Sequence, residues 1–201
     1  MIGRRGVGQI AITGPISRRQ VHLMRAEADA ILVGIGTALA DDPELTCRLE
    51  GLQQRSPQRI VLDRSLRLPP SSKLAASARH TPVLVAAGDD ADPERRAALA
   101  ALGVGFLAIE THSGLIALPE LLEDLAARGT MTLMVEGGAE TAAHFLAEGL
   151  VDRIALYVGP DAIGPDGIAA PLANGAVPEG FRQIREARYG DDRFFEFVRA
   201  G

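Results

Sequence analysis

Short apolar runs alternate along the chain with amphipathic stretches. The runs "AILVGI", "RIVLD" and "PVLVAA" are too short to cross a membrane and too uniformly apolar for a half-exposed strand. They therefore predict strands that are buried on both faces. Further along, Leu118, Leu121, Leu122 and Leu125 recur at helical spacing. This spacing predicts a helix with one face packed on the core.

Capping and turn residues predict further helices between these strands. Ser17 followed by Gln20 is typical of a capping box and predicts a helix from there to about Ala28. Asp92 and Pro93 predict the start of another helix. The stretch "TLMVEGG" predicts a strand that runs into a turn, and "AETAAHFLAEG" predicts the helix after it. The alternation of strand and helix predicts an α/β protein with a parallel sheet covered on both sides.

The C-terminal part of the chain has a different pattern. "RIALYVGP", "FRQIREARYG" and "RFFEFVRA" read as strands, and Gly190, Asp191 and Asp192 lie between the last two. Turn residues between two such runs indicate a β-hairpin. The sequence thus predicts a mostly parallel mixed sheet with helices on both faces and a C-terminal antiparallel hairpin.

Composition narrows the class of protein. The chain has 201 residues, 47% of them apolar and 23% charged, and its formal net charge is −5. These values are typical of one globular domain, and the net negative charge argues against a general nucleic-acid binder. Cys47 has no second cysteine to pair with, and the four histidines lie far apart, so neither a disulfide framework nor a zinc site is expected. No signal peptide or membrane span is predicted, and the cytoplasm is the simplest compartment.

The stretch "VEGGAET" is the first candidate for chemistry. Gly137 and Gly138 allow the backbone to approach a bulky anion, and the free amide groups of the following helix favour a phosphate or pyrophosphate. A Gly-Gly turn between strand and helix is also a common structural solution. Glu136 lies at the strand end, where it needs a partner; it could bind a ligand, cap its own helix or meet an arginine.

The stretch "GTALADDPELTCR" is the second candidate. One of Asp41 and Asp42 is expected to order the turn with Pro43 while the other faces a cleft, and residue order does not say which. Arg48 and the earlier Arg25 could form a phosphate clamp, since guanidinium groups suit bidentate contacts. The alternative is a solvated acidic turn followed by a surface arginine.

Together these stretches resemble a known family. "ITGPISRRQVHLMRAEADAILVGIGTALADDPELTCR", "RIVLDRSLRLP" and "VEGGAETAAHFLAEGLVDRIALYVGP" are similar to the reductase domain of the bacterial bifunctional riboflavin-biosynthesis deaminase-reductase, over essentially the whole chain. The resemblance implies a three-layer, dihydrofolate-reductase-like fold. It also implies an NADPH-dependent oxidoreductase that reduces 5-amino-6-(5-phosphoribosylamino)uracil to its ribitylamino product. Hydride from the nicotinamide would reach C1 of the opened ribose.

The resemblance also implies roles for individual residues. Asp41 would lie beside the reacting carbon and orient the substrate or relay a proton. The pocket for the ribose phosphate would consist of Arg25, Leu45 and Arg48. Arg64 and Ser65 would contact the 2′-phosphate of NADPH. The rest of the cofactor side would comprise Thr13, Gly34, Thr37, Glu136, Gly137, Gly138 and Thr141.

Several expectations concern the protein as a whole. Residues 1–201 are interpreted as a single reductase domain without the deaminase half, truncated at the N-terminus because the family's first strand would precede "MIGRRGVGQIAITG". A homodimer is expected from the resemblance, with a phosphorylated pyrimidine as substrate and no nucleic acid, membrane or metal as partner. Two alternatives stay open: another pyrimidine or pteridine reductase of the same fold, and a catalytically silent nucleotide-binding module.

Overall fold

The structure is a computed structural model and describes residues 12–109, 111–112, 115–136, 138–161, 171–172 and 176–201. It divides the chain into two compact units. The central unit comprises His22–Gly138, and the terminal unit comprises Met1–Val21 with Ala139–Gly201. The chain start, on which the expectation of a missing first strand rests, lies outside the described residues.

Helices and strands alternate through most of the chain, as the hydrophobic pattern predicts. The helices are α1 (Pro15–Glu27), α2 (Ile35–Asp41), α3 (Lys73–Ala76), α4 (Pro93–Ala101), α5 (Leu118–Ala127) and α6 (Ala139–Ala147), with a short 3-10 helix at Gln53–Arg55. The strands are β1 (Ala30–Gly34), β2 (Gln58–Leu62), β3 (Val83–Ala87), β4 (Gly105–Ala108), β5 (Thr111–His112), β6 (Leu115–Ile116), β7 (Leu133–Val135), β8 (Arg153–Val158), β9 (Phe181–Tyr189) and β10 (Asp192–Arg199).

The central unit is built on a parallel sheet. Its five strands lie in the order β4-β3-β2-β1-β7, and every neighbouring pair is parallel. In this register Ile31 lies beside Arg59 and Val33 beside Val61. The short strands β5 and β6 form a separate antiparallel pair.

Both faces of the parallel sheet are buried. On one face, Ile31, Val61 and Val85 share a core cluster with Leu74 of α3 and Leu99 of α4. The opposite face is buried too, as the zero exposure of its residues shows, for example Ala30, Leu32, Ile60 and Ala86. Each fully buried aliphatic side chain of the size of leucine contributes about 1.5–3 kcal/mol to folding. The prediction of strands without a solvent-exposed face is confirmed.

The terminal unit contains an antiparallel sheet of three strands in the order β8-β10-β9. Tyr189 and Asp192 are paired across the hairpin, and Gly190 between them has a φ of 68° that favours glycine. The α/β class, the parallel sheet and the C-terminal antiparallel hairpin are therefore confirmed. The pattern favoured one mixed sheet, whereas the described residues place the parallel strands and the C-terminal hairpin in separate sheets, because strand partners depend on long-range packing that periodicity does not encode.

The predicted capping box at Ser17 is wrong. The helix begins at Pro15, whose fixed φ suits the first helical position, so Ser17 lies inside the first turn. Ser17 is fully buried, and its Oγ donates a hydrogen bond to Asp192 Oδ2. Gly14 N donates to the same carboxylate oxygen at 2.8 Å. A carboxylate from the hairpin therefore satisfies the start of this helix in place of a local cap.

Candidate active site

Three neighbouring strands bring predicted site residues to one edge of the parallel sheet. β1 ends at Gly34, β2 ends two residues before Arg64, and β7 ends just before Glu136. Because β2, β1 and β7 are adjacent and parallel, these residues lie at the carboxyl edge of the sheet. In open α/β sheets this edge is where ligands bind. Gly34 also forms the N-cap of α2, which carries Thr37 and Asp41.

The two adjacent aspartates of this region have different environments. Asp42 has a left-handed φ of 40°, and its Oδ1 accepts a hydrogen bond from Lys73 N at 2.8 Å. Asp42 therefore fixes the turn by joining it to the start of α3. Asp41 is the last residue of α2 and is half-buried, and burial raises the pKa of its carboxyl group. Among the described residues this carboxylate makes no hydrogen bond or ion pair, so it remains free for proton chemistry.

The segment that follows, residues 42–48, is called the 42–48 loop. Asp42 and Leu45 both have positive φ, at 40° and 56°. A non-glycine residue in this conformation costs about 1–3 kcal/mol and persists only where its surroundings hold it. The holding contacts run from Arg59 Nη1 to Glu44 O (3.2 Å), from Arg25 Nη1 to Thr46 O (3.0 Å), from Cys47 N to Ser56 Oγ (3.0 Å) and from Arg48 N to His22 Nδ1 (3.3 Å).

Leu45, a predicted contact of the substrate phosphate, is part of the core. Its side chain is only 2% exposed and packs in the same cluster as Val33 and Val61. A side chain in this position is not available to a ligand. The assignment of Leu45 to the phosphate pocket stays a prediction, and with its side chain in the core only its main chain would be available for that contact.

Arg25 and Glu136, which the family resemblance assigned to different ligands, form one partly buried ion pair. Arg25 Nε donates to Glu136 Oε2 at 2.8 Å, and Nη2 donates to Oε1. Arg25 is 8% exposed, and its remaining nitrogen, Nη1, holds Thr46 O. Of the alternatives for Glu136, the structure shows the one in which it meets an arginine. Both residues belong to one cluster at the sheet edge, and their ligand assignments stay predictions.

Arg48 lies at the exposed end of the 42–48 loop. Its Nη1 donates to Glu44 Oε2 at 2.8 Å, and this hydrogen bond lowers the pKa of Glu44. The side chains are 57% and 44% exposed. An ion pair this exposed is worth about 0–1 kcal/mol, so an incoming phosphate can replace Glu44 at little cost.

His22 joins the same cluster, and the sequence analysis assigned it no role. Burial lowers the pKa of His22, and the charges of Arg25 and Arg48 lower it further, while the Thr46 main chain and Glu136 act in the opposite direction. One signal in the sequence pointed to this position. His22 precedes Arg25 by three residues on a helix, a spacing that places two side chains on the same face.

Arg64 and Ser65, predicted to contact a 2′-phosphate, lie beyond the end of β2. Arg64 Nη2 forms an ion pair with Asp90 Oδ2 at 3.1 Å, with side chains 41% and 71% exposed. Arg64 Nε is buried and has no partner among the described residues. Ser65 is exposed. This pairing of Arg64 and Asp90, called the Arg64–Asp90 corner, leaves an exposed cation beside the sheet edge.

The remaining cofactor predictions are distributed as follows. Gly138 has a φ of 72°, which glycine adopts most readily. Gly137 lies outside the described residues. Thr13 and Thr141 belong to the terminal unit and are half-buried. Their assignment to the cofactor stays a prediction.

A second residue that the sequence analysis missed is Arg59, which is fully buried within β2. Its Nη1 donates to Glu44 O and to Ser77 Oγ at 2.8 Å, and its Nη2 donates to Ser77 O and Thr81 O. Burial lowers its pKa to about 10, so the group remains charged at neutral pH. The signal was a charged residue at the start of the run "RIVLD", which is predicted to be a buried strand.

Neither a metal centre nor a membrane helix is found in the described part of the chain. No group of three or more metal-ligating side chains is gathered there. No helix there is long and apolar enough to cross a bilayer. The polar groups described at this edge are carboxylates, guanidinium groups, an imidazole and main-chain groups.

Comparison with known protein families assigns the chain. The model of the RibD C-terminal domain family matches residues 3–183. The chain belongs to this family. The expected resemblance is thus confirmed.

Individual relatives agree with this assignment. The chain is 37% identical over 177 residues to the riboflavin biosynthesis protein RibD of Bacillus amyloliquefaciens, covering 87% of the chain and 45% of that protein. It is 35% identical over 162 residues to the 2,5-diamino-6-ribosylamino-4(3H)-pyrimidinone 5′-phosphate reductase of Methanothermobacter thermautotrophicus, covering 78% of the chain and 71% of that protein. The chain spans about half the length of the RibD proteins that it matches.

A solved structure supports the fold. The first form of Acinetobacter baumannii RibD matches with a TM-score of 0.78 at 28% identity, over 99% of this chain and 55% of that one. The fold is therefore that of RibD reductase domains.

Proposed function

We propose that this chain reduces 5-amino-6-(5-phosphoribosylamino)uracil to 5-amino-6-(5-phosphoribitylamino)uracil, with NADPH as reductant, as a step of riboflavin biosynthesis. Relatives named riboflavin biosynthesis protein and pyrimidinone 5′-phosphate reductase support a reductase role. The observation that carries the proposal is the environment of Asp41. This residue has a half-buried carboxyl group with a raised pKa, next to a loop that ends in an exposed arginine.

The residues at the sheet edge fit a nicotinamide dinucleotide. The positive φ of Gly138 brings bare backbone to the edge, where a pyrophosphate can approach. The exposed guanidinium of Arg64 is paired only with an exposed carboxylate, which suits a 2′-phosphate. Gly34 and Thr37 start the helix that carries Asp41. When bound, the cofactor supplies the hydride.

The protein's own contribution is to orient the substrate and to manage a proton. Reduction of the ring-opened imine adds a hydride to C1 and a proton to the imine nitrogen. A carboxyl group whose pKa is raised by burial holds a proton more readily than an exposed one, which fits Asp41 for this transfer. Arg48 would hold the phosphate of the substrate, with Arg25 and Glu136 supporting the 42–48 loop from behind.

Consumption of NADPH tests the proposal, measured with and without the phosphoribosylamino substrate. Mass spectrometry of the product should show a gain of two hydrogen atoms. Asp41→Asn should abolish most of this turnover, and Asp42→Asn, which keeps an acceptor for Lys73 N, is the matched control. Binding of NADPH without turnover on any pyrimidine would instead support the silent nucleotide-binding module.

A second candidate substrate is the 2,5-diamino-6-ribosylamino-4(3H)-pyrimidinone 5′-phosphate of the archaeal relative, because the chain covers 71% of that protein at 35% identity. The two pyrimidines differ in the ring, not in the ribose phosphate, so the phosphate cluster alone does not separate them. Comparison of kcat/KM on both substrates decides between them.

The proposal extends to the state of the protein. Residues 1–201 would act as one reductase domain, as a homodimer in the cytoplasm, where NADPH and phosphorylated pyrimidines are retained by their charge. Light scattering coupled to size-exclusion chromatography tests the dimer.

A further inference from the structure

His22 contacts the 42–48 loop at its main chain rather than at a side chain. Arg48 N donates a hydrogen bond to His22 Nδ1 at 3.3 Å, and the main chain of Thr46 also interacts with the ring. The His22 ring therefore contacts the short segment from which the Arg48 side chain extends toward solvent. The same segment is held by Arg25 through Thr46 O.

The hydrogen bond from Arg48 N requires a neutral imidazole. A ring nitrogen that accepts a hydrogen bond carries no proton, so the proton of neutral His22 is on Nε2. The charged groups that face the ring are Arg25 on its own helix, Arg48 on the loop and Glu136 after β7. Partial burial and the two cations outweigh the Thr46 main chain and the one carboxylate, and they hold the pKa of His22 below 6.5. His22 is therefore mainly neutral at pH 7 and above.

We propose that neutral His22 is a positioning residue for ligand binding: it fixes the main chain at Thr46–Arg48, and through it the Arg48 side chain, in the orientation that binds a phosphate ester. Protonation turns Nδ1 from acceptor into donor and breaks the bond to Arg48 N. The identity of the phosphate ester rests on the proposed function, whereas the positioning of Arg48 by His22 is independent of it.

Two substitutions separate the acceptor from the imidazole. His22→Asn places an amide oxygen near the position of Nδ1, where it can accept from Arg48 N but cannot titrate. His22→Leu removes the acceptor. His80, which is exposed, gives the control His80→Leu with the same chemical change away from the loop.

The first measurement needs no ligand. In an NMR titration of the full chain, the Arg48 amide signal should move with the protonation of His22, below pH 6.5, and this movement should vanish in His22→Asn. The ring nitrogens should report the Nε2-protonated tautomer. An Arg48 amide that ignores the titration, or an Nδ1-protonated ring, would overturn the inference.

The second measurement uses the phosphoribosylamino substrate and, by calorimetry, ribose 5-phosphate as a simple phosphate ester. At about pH 7.5, where His22 is neutral, His22→Leu should raise KM and the ribose 5-phosphate Kd about threefold to tenfold, the worth of one hydrogen bond, with kcat little changed. His22→Asn should restore both values, and His80→Leu should leave them unchanged. As the pH falls through the range in which the NMR titration shows His22 becoming protonated, the wild type should lose more affinity than His22→Asn. The titration of the phosphate itself is common to both proteins and cancels in this comparison.

The outcomes distinguish this inference from the proposed function. Unchanged KM and Kd in His22→Leu, with a wild type that binds both esters, would contradict the role of His22 in binding. A wild type that binds ribose 5-phosphate in a His22-dependent way but does not oxidise NADPH would sink the proposed reductase activity and leave His22 supported.

Discussion

The 42–48 loop and the Arg64–Asp90 corner follow neighbouring strands of one sheet, yet they are held in opposite ways. In the loop, the guanidinium groups of Arg59 and Arg25 donate to the carbonyls of Glu44 and Thr46, and His22 Nδ1 accepts from Arg48 N. Two residues with positive φ are kept in place there. In the corner, one ion pair joins two exposed side chains. Fixed main-chain geometry suits a reacting centre, whereas an exposed ion pair can exchange partners at little free-energy cost.

The difference shows which region has its atoms positioned accurately enough for the proposed reaction. The loop carries the proposed substrate contacts and follows directly from Asp41, and an error of about 1 Å there can cost a hundredfold in rate. The corner would only grip a phosphate remote from the chemistry, where ground state and transition state are bound alike.

The largest effect is expected at the start of the loop. Asp41→Asn should lower kcat about 10²- to 10⁴-fold, because an amide keeps the shape of the carboxyl group but transfers no proton. The free energy of unfolding should not fall. Burial raises the pKa of Asp41 above its unfolded value of 3.8, so ionisation of this group destabilises the folded state as the pH rises from 3.8 through the folded pKa. At neutral pH an uncharged amide avoids this destabilisation. Steady-state kinetics and thermal melts check both parts, and full activity in Asp41→Asn would contradict the assignment.

The next effect concerns the buried clamp of the loop. Arg59→Met should lower the free energy of unfolding by about 2–4 kcal/mol, since the carbonyls of Glu44, Ser77 and Thr81 lose their donor inside the protein. Urea unfolding measures this loss. Arg55→Met removes an exposed arginine and should be nearly neutral. If Arg59→Met and Arg55→Met have the same free energy of unfolding, Arg59 does not stabilise the 42–48 loop.

A smaller effect is expected where the loop reaches solvent. Arg48→Ala should raise KM for the phosphorylated substrate about tenfold to a hundredfold and leave kcat within about a factor of three, because a charge-assisted hydrogen bond to a remote phosphate acts on ground and transition states alike. Glu44→Gln, which releases Arg48 from its ion pair, should not raise KM. A fall in kcat instead of a rise in KM would place Arg48 at the chemistry.

The smallest effect is expected at the corner. Asp90→Asn should tighten NADPH binding about twofold to fivefold, because it removes the carboxylate that competes for Arg64 in an exposed pair. NADH binding should not change. Arg64→Gln should weaken NADPH binding and likewise spare NADH. Calorimetric titration with both cofactors measures the affinities, and equal responses of NADPH and NADH would remove the 2′-phosphate from this corner.

Much of the fold was predictable because its signals are local. A uniformly apolar run such as "AILVGI" has no polar face to expose, so burial on both sides of a sheet follows from its composition. The helix of Leu118, Leu121 and Leu125 follows from spacing alone, and all three are buried. The start of α1 was misjudged because Ser17 has a local capping pattern, while its actual partner, Asp192, lies 175 residues away.

The α/β class, the buried parallel strands and the family follow from the sequence alone. Only the folded chain shows which aspartate is free, that Arg25 and Glu136 pair across 111 residues, and that His22 and Arg59 contact the 42–48 loop. The physical reason is that periodicity and turn chemistry act between near neighbours. The partner of a buried charge is chosen by desolvation and geometry, which exist only once distant segments have packed.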